Sequence, residues 1–154
     1  MNDPRDLLRH WDDLDFEELL GVKTAVLEME GLDGTPAPAV VLAIEYPPNF
    51  RLPAHQHVSG HVEVILEGSL QVGDRWESPG DIRVVPARSS YGPLVSGPEG
   101  CKALEYFPDR AAMFAEMDDP AELAALLGDT DPAELQARIQ RLLKIDAALV
   151  SVEG

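Results

Sequence analysis

Three of the four histidines in the chain fall within seven residues, His55-Gln56-His57-Val58-Ser59-Gly60-His61. Successive side chains of a strand point to opposite faces, so positions 55 and 57 share a face wherever the segment is extended. Val58-Ser59-Gly60 suits a bend that returns His61 to the side of His57. Three neutral imidazoles converging on one point are a donor set for a borderline divalent cation such as Fe, Ni, Zn, Cu or Mn. The expected cofactor is therefore one divalent transition metal per chain, of undetermined identity. Inward imidazoles without partners would carry a desolvation cost that a metal removes. The competing reading is three loop histidines in water. Glu63 lies two residues beyond His61 and shares its face in a regular strand. It is the candidate substrate-binding residue. Its alternatives are a fourth ligand, an acceptor for an imidazole N–H, or a carboxylate in water at the mouth of the site.

Short extended runs surround this cluster. Residues 23–29, 39–46, 51–57, 61–67, 70–72, 82–85 and 101–107 are rich in β-branched and aromatic residues. Turn signals separate them: Gly31-Leu32-Asp33-Gly34, Pro47-Pro48-Asn49, Ser59-Gly60, Gly73-Asp74, Ser78-Pro79-Gly80 and Ser96-Gly97-Pro98. Many short strands joined by tight turns predict an all-β sandwich or barrel. Ahead of them, residues 1–20 form an acidic, irregular or partly helical lead-in, with Trp11, Leu14, Phe16, Leu19 and Leu20 as docking side chains. Beyond them, residues 109–154 turn rich in Ala, Leu and Glu. The pentad Asp-Pro-Ala-Glu-Leu occurs there twice, at 119–123 and 131–135. Each copy reads as a helix start: Asp caps, Pro takes the first helical position, and Glu sits near the positive end of the dipole. Leu135, Ile139, Leu142 and Leu149 make a stripe on the second helix that packs on the barrel or on another subunit. The expected division is 1–108 for the barrel with its lead-in and 109–154 for a short C-terminal helical extension.

At 154 residues, the chain is of a length for one domain with a sizeable core. Its net charge of −16 comes from 28 acidic and 12 basic residues, the acid being densest at the two ends. That field repels phosphate backbones, so nucleic acid is excluded as a partner. The single cysteine, Cys101, rules out an intrachain disulfide and a multi-thiolate metal site within one chain. It reads as a small packed hydrophobe, and a cytoplasmic location follows as the expectation. The first twenty residues lack the apolar stretch of a signal peptide. No apolar run approaches the ~20 residues of a membrane span. Ser89-Ser90 lacks a glycine-flanked elbow and an acid–base pair, which leaves serine hydrolysis unsupported. Arg51 has the parity of His55 and His57. It either lines one end of the barrel or is solvated at the surface. His10 has no assigned role.

The middle of the chain resembles the cupin superfamily. Against Gly-x5-His-x-His-x3,4-Glu-x6-Gly stands Asn49-x5-His55-x-His57-x3-His61-x6-Gly68. Against Gly-x5-Pro-x-Gly-x2-His-x3-Asn stands Gly80-x5-Pro86-x-Arg88-x2-Tyr91-x3-Val95. The intervening EVILEGSLQVGDRWESPGDIRVVPARSSYGP has the strand, Leu-Glu-Gly turn, strand, Pro-Gly-Asp, strand order of that superfamily. The resemblance covers roughly residues 21–108 and implies a double-stranded β-helix, a jelly-roll-like barrel. Asn49 and Arg88 replace glycines. Asn tolerates the left-handed backbone, whereas Arg88 either alters the turn or puts a cation near the mouth. His61 stands where the family places its glutamate ligand, and Tyr91 where it places its last histidine. The implied site is His55, His57 and His61, with Tyr91 as the candidate catalytic residue at the fourth position. A phenol there can donate a hydrogen bond to substrate, ligate as phenolate, or fill space in a barrel that has lost its metal.

Three-histidine cupin sites are associated with oxygen-dependent cleavage of small organic substrates such as diketones, thiols and hydroxylated aryl ketones. The resemblance thus implies a mononuclear metal-dependent dioxygenase or related oxidoreductase, acting as a homodimer on a small molecule. The alternatives are a non-catalytic small-ligand or metal-binding cupin, used as a sensor or binding protein, and a scaffold whose C-terminal helices mediate assembly.

Overall fold

The computed structural model describes residues 6–128 continuously, together with Asp3, Asp131, Ala133, Glu134, Ala137 and Arg138. Its elements are mostly extended, in this order: β1 (Glu17–Leu19), β2 (Val22–Glu30), β3 (Pro36–Tyr46), β4 (Arg51–Leu52), β5 (His55–Gln56), β6 (His61–Val72), β7 (Arg75–Glu77), β8 (Ile82–Val85), β9 (Leu94–Phe107), β10 (Glu116–Met117) and α1 (Pro120–Leu127). The main sheet runs β1-β2-β3-β9-β6-β7, with β4 added to β9 and β8 to β6, and β5 and β10 form a separate pair. Every pairing is antiparallel.

Alternation along these strands builds the interior. Val40, Leu42, Ile44 and Tyr46 of β3, Ile65, Leu70 and Val72 of β6, and Cys101, Ala103 and Phe107 of β9 form one buried cluster. Phe107, Ile65 and Leu70 are fully enclosed, each burial favouring the fold by about 1.5–3 kcal/mol. Cys101 is a packed thiol, as its type suggests. It lies well inside β9 instead of opening the last strand. That strand begins at Leu94 and runs straight through Ser96-Gly97-Pro98, a stretch whose composition predicts a turn. The glycines there serve close strand approach: a Cβ on Gly97 would strike the Ser69 side chain. The runs 61–67 and 70–72 likewise fuse into β6, with register shifts on either side of Gly68. The run 51–57 is split instead, because Pro53 lacks the N–H a continuous ladder needs. β4 pairs with β9, and β5 pairs with β10.

Both substituted glycine positions keep the left-handed backbone. Asn49 and Arg88 each have φ of 56°, and the Arg88 side chain is exposed. The lead-in is better ordered than its composition suggests, holding a 3₁₀ turn at Trp11–Asp13 and strand β1. Trp11 docks on the outer sheet face, where its indole N–H donates to Glu45 (3.1 Å) and Lys102 lies over its ring. After β9 the chain folds back onto β3, β9 and β5. A 3₁₀ turn at Arg110–Met113 buries Ala112 and Met113, and β10 follows. Helix α1 starts as the first pentad predicts, with Asp119 accepting from Ala121 N and Pro120 opening the helix. Asp131 likewise accepts from Ala133 N. Leu135, Ile139, Leu142 and Leu149 lie outside the described residues. No helix among the described residues is long and apolar enough to cross a membrane.

Candidate metal centre

His55, His57 and His61 are all buried, at 3%, 6% and 3% exposure, which removes the reading of three loop histidines in water. Backbone pairing brings them together. His55 sits on β5 and exchanges two backbone hydrogen bonds with Tyr91 (3.0 and 2.9 Å). Arg88 N donates to His57 O, and His61 opens β6 opposite Val85 of β8. Gly60 makes the intervening bend possible, since a Cβ there would lie 2.9 Å from the Val85 carbonyl oxygen. The rings of His55 and His57 are 5.3 Å apart, and those of His57 and His61 are 4.8 Å apart.

Hydrogen bonds orient the rings. His55 Nδ1 faces Pro53 O at 2.9 Å, and His57 Nδ1 faces Ala112 O at 2.7 Å. A carbonyl only accepts, so both Nδ1 atoms carry the proton and both Nε2 atoms present a lone pair. The Tyr91 hydroxyl lies 3.0 Å from His55 Nε2 and 3.3 Å from His61 Nε2. Its one proton goes to His55. His61 then donates from Nε2 to the phenol oxygen, and its buried Nδ1, which has no partner, is left as a bare acceptor. All three imidazoles are held neutral. Burial, and then the neighbouring His55, push His57 down to about 3. Burial and Arg83 push His61 down to about 4. Burial lowers His55 also. Phe107 packs against His61 and His57 at 4.8 and 5.2 Å and closes the apolar side.

A second buried group adjoins the histidines. Glu63 of β6 lies opposite Arg83 of β8 and Glu105 of β9. Arg83 reaches Glu63 at 2.9 Å, and its Nε lies 2.9 Å from Glu77 of β7, though misaligned for a hydrogen bond. The guanidinium also covers the Tyr91 ring at 4.5 Å. Three carboxyls around the Arg83 guanidinium, with the exposed Arg75 3.5 Å from Glu77, cannot all ionise in such an interior. Burial and the adjacent Glu63 raise Glu105 well above the carboxylate range. Burial, with Glu63 adding to it, takes Glu77 up to about 7. For Glu63, burial pushes upward but is outweighed by Arg83, so Glu63 carries the negative charge. Burial also raises the Tyr91 phenol, which stays neutral.

The structure thus gathers all five sequence candidates into one region: His55, His57, His61, Tyr91 and Glu63. Glu63 is engaged by Arg83. Arg51 lies outside, on the surface against Glu122 of α1. Sequence reasoning missed Arg83, Glu77, Glu105 and the Ala112 carbonyl. Strand parity was the available signal for Glu105, which shares a face with Ala103 and Phe107.

No family model and no curated protein matches this sequence. Solved structures do. The polyketide cyclase RemF from Streptomyces resistomycificus superposes with a TM-score of 0.58 at 23% identity, over 78% of this chain and 93% of that one. An RmlC-like cupin from Shewanella frigidimarina gives 0.54 at 20% identity, over 66% and 89%. The chain has the cupin fold. Another cupin-fold neighbour is KdgF from Halomonas sp., with a TM-score of 0.54 at 20% identity, over 68% and 97%. The chain spans only about half, 51%, of the anti-sigma factor ChrR of Rhodobacter sphaeroides, which is similar at 0.53 and 21% identity over 64% of this chain.

Placed against the needs of a cation, the histidine cluster fits in donor chemistry. With bonds of about 2.1 Å, two imidazoles sharing an ion have ring centres roughly 4.5–5.3 Å apart, a spacing that the His55–His57 and His57–His61 pairs have. As the side chains stand, however, no three His, Cys, Asp or Glu among the described residues bring their donors close enough to hold one ion. The Tyr91 hydroxyl is seated between His55 and His61.

Proposed function

We propose that this cupin binds one divalent transition metal through His55, His57 and His61 and uses it on a small organic substrate, as a mononuclear dioxygenase or related oxidoreductase. One observation carries the reading. Two of the imidazoles are pinned at Nδ1 by backbone carbonyls, which is how ligating histidines are commonly aimed, and the third ring is buried beside them against Phe107. Such a metal would supply Lewis acidity and, if redox-active, activation of a chelated substrate toward dioxygen. The remaining roles belong to the chain. Pro53 and Ala112 hold the rings of His55 and His57 in one tautomer. Phe107 keeps water from one side. Tyr91 holds a proton on its hydroxyl and offers it to a substrate oxygen. Glu63, kept ionised by Arg83, braces that guanidinium over the Tyr91 ring.

The second reading is a non-catalytic binder of metal or small ligand. It is favoured by Tyr91, which stands at the position of a family ligand and is already satisfied by its neighbours. The ChrR neighbour was crystallised in complex with the sigma factor SigE, so the fold also serves proteins that act by binding. Oxygen uptake by iron-loaded protein, measured with diketones and catechol-like compounds, decides between the two. Substrate-dependent uptake lost in His57→Ala supports the oxidoreductase. Stoichiometric metal without uptake across the panel leaves the binder.

A further inference from the structure

We propose that Tyr91 is the stopper of the histidine centre: its hydroxyl engages the inward nitrogens of His55 and His61, and a cation enters only by taking those nitrogens from it. The inference rests on the metal-binding reading above and adds how that site is kept and opened.

The geometry leads there directly. His55 Nε2 is the lone-pair end of a ring whose other nitrogen is fixed by Pro53 O, and that lone pair receives the Tyr91 proton at 3.0 Å. His61 Nε2 meets the same oxygen at 3.3 Å. A shared ion needs the two Nε2 atoms within about 4 Å of each other, and as the side chains stand both nitrogens are engaged by the one phenol oxygen instead. The stopper is held by backbone as well as by side chains. Two backbone hydrogen bonds tie Tyr91 to His55, and Arg83, itself braced by Glu63 and Glu77, lies over the ring. The backbone bridge to His55 therefore fixes where the hydroxyl arrives.

The arrangement also sets the tautomers. The sequence His61 Nε2–H to Tyr91 oxygen, then Tyr91 O–H to His55 Nε2, then His55 Nδ1–H to Pro53 O satisfies each donor once. It leaves His61 Nδ1 as an acceptor without a partner, in keeping with its buried, unbonded state. Binding through His61 Nε2 then requires its proton to move to Nδ1 or to solvent, so zinc uptake and the loss of the His61–Tyr91 hydrogen bond are one event. Without the hydroxyl, both nitrogens are left unsatisfied in protein stripped of metal, and the cation no longer competes for them.

The test is zinc titration of stripped wild-type, Tyr91→Phe and His57→Ala proteins by calorimetry, with long-range proton–nitrogen spectra of the imidazoles in the stripped wild type. Tyr91→Phe is expected to bind zinc about tenfold more tightly, the worth of one to two neutral hydrogen bonds, and stripped wild type to show His55 protonated on Nδ1 and His61 on Nε2. Unchanged affinity would make the phenol a filler, and weaker affinity would make it a ligand; either overturns the proposal. His61 protonated on Nδ1 overturns it as well, independently of any metal and of how the variants fold. Zinc binding absent from wild type, or indifferent to His57→Ala, sinks the metal-binding reading itself.

Discussion

Arg83→Met removes the buried cation that Glu63 and Glu77 share, and the structure sets the size of the loss. The guanidinium is nine-tenths buried and lies within 2.9 Å of both Glu63 and Glu77, and the Glu63 side chain has no exposure at all. Taking away one partner of a buried pair costs about 3–5 kcal/mol, because the remaining charge is uncompensated. The carboxyl has an escape, which is to bind a proton. Holding an ordinary carboxyl protonated at pH 8 costs close to 5 kcal/mol, and at pH 5.5 only about 1.4. The variant is therefore expected to lose about 3–5 kcal/mol at pH 8 and about 1–2 kcal/mol at pH 5.5, relative to wild type under the same conditions. Urea denaturation followed by circular dichroism at the two pH values measures both differences. A loss under 1 kcal/mol at pH 8, or the same loss at both pH values, would refute the assignment of Glu63 as the ionised member of the cluster.

Glu77, raised to about 7 in the fold, binds its proton more readily folded than unfolded. It thus adds stability as pH falls from 7 toward 4.5 and withdraws it as pH rises. Glu77→Gln should gain on wild type by up to about 3 kcal/mol as pH rises through that window; paired denaturation curves show the sign. The neutral imidazoles act oppositely. His57 and His61, lowered to about 3 and 4, contribute stability fully above pH 6.5 and lose it as pH falls below, so His57→Gln should flatten the acid limb of wild-type stability between pH 6.5 and 4. Gly60→Ala places a Cβ 2.9 Å from Val85 O and should both lower the melting temperature and weaken zinc binding, whereas Gly80→Ala, with open space at its Cβ but φ of 92°, should cost stability alone. Calorimetry of the two variants side by side separates the effects.

The part of this site that could be read from the residues is the part that is local in the chain. His55 and His57 lie on one short extended segment and His61 follows after one bend, so alternation and a glycine suffice to bring them together. Asp119-Pro120 was legible for the same reason, since capping is settled within one turn. Glu63 already stood out by parity, but its partners did not. Arg83, Glu77 and Glu105 come from three other strands, and only the registers Glu63 to Arg83 and Glu63 to Glu105 place them side by side. Alternation predicts that such residues face inward; it says nothing of which strands adjoin. The carbonyl of Ala112 was invisible in principle, because any residue supplies one. Strand β10 was hidden by its length, two residues paired to β5 alone. The start of β9 was hidden because glycines and a proline that signal turns in isolation here let strands approach closely.

The central claim, a metal shared by His55, His57 and His61, is tested most directly by elemental analysis of protein purified without a histidine tag. The account predicts close to one transition-metal ion per chain in wild type, and its loss from a His57→Ala protein whose circular dichroism matches wild type. A wild-type protein free of transition metal after growth and dialysis in metal-supplemented buffer, or a metal content that survives His57→Ala, would contradict it.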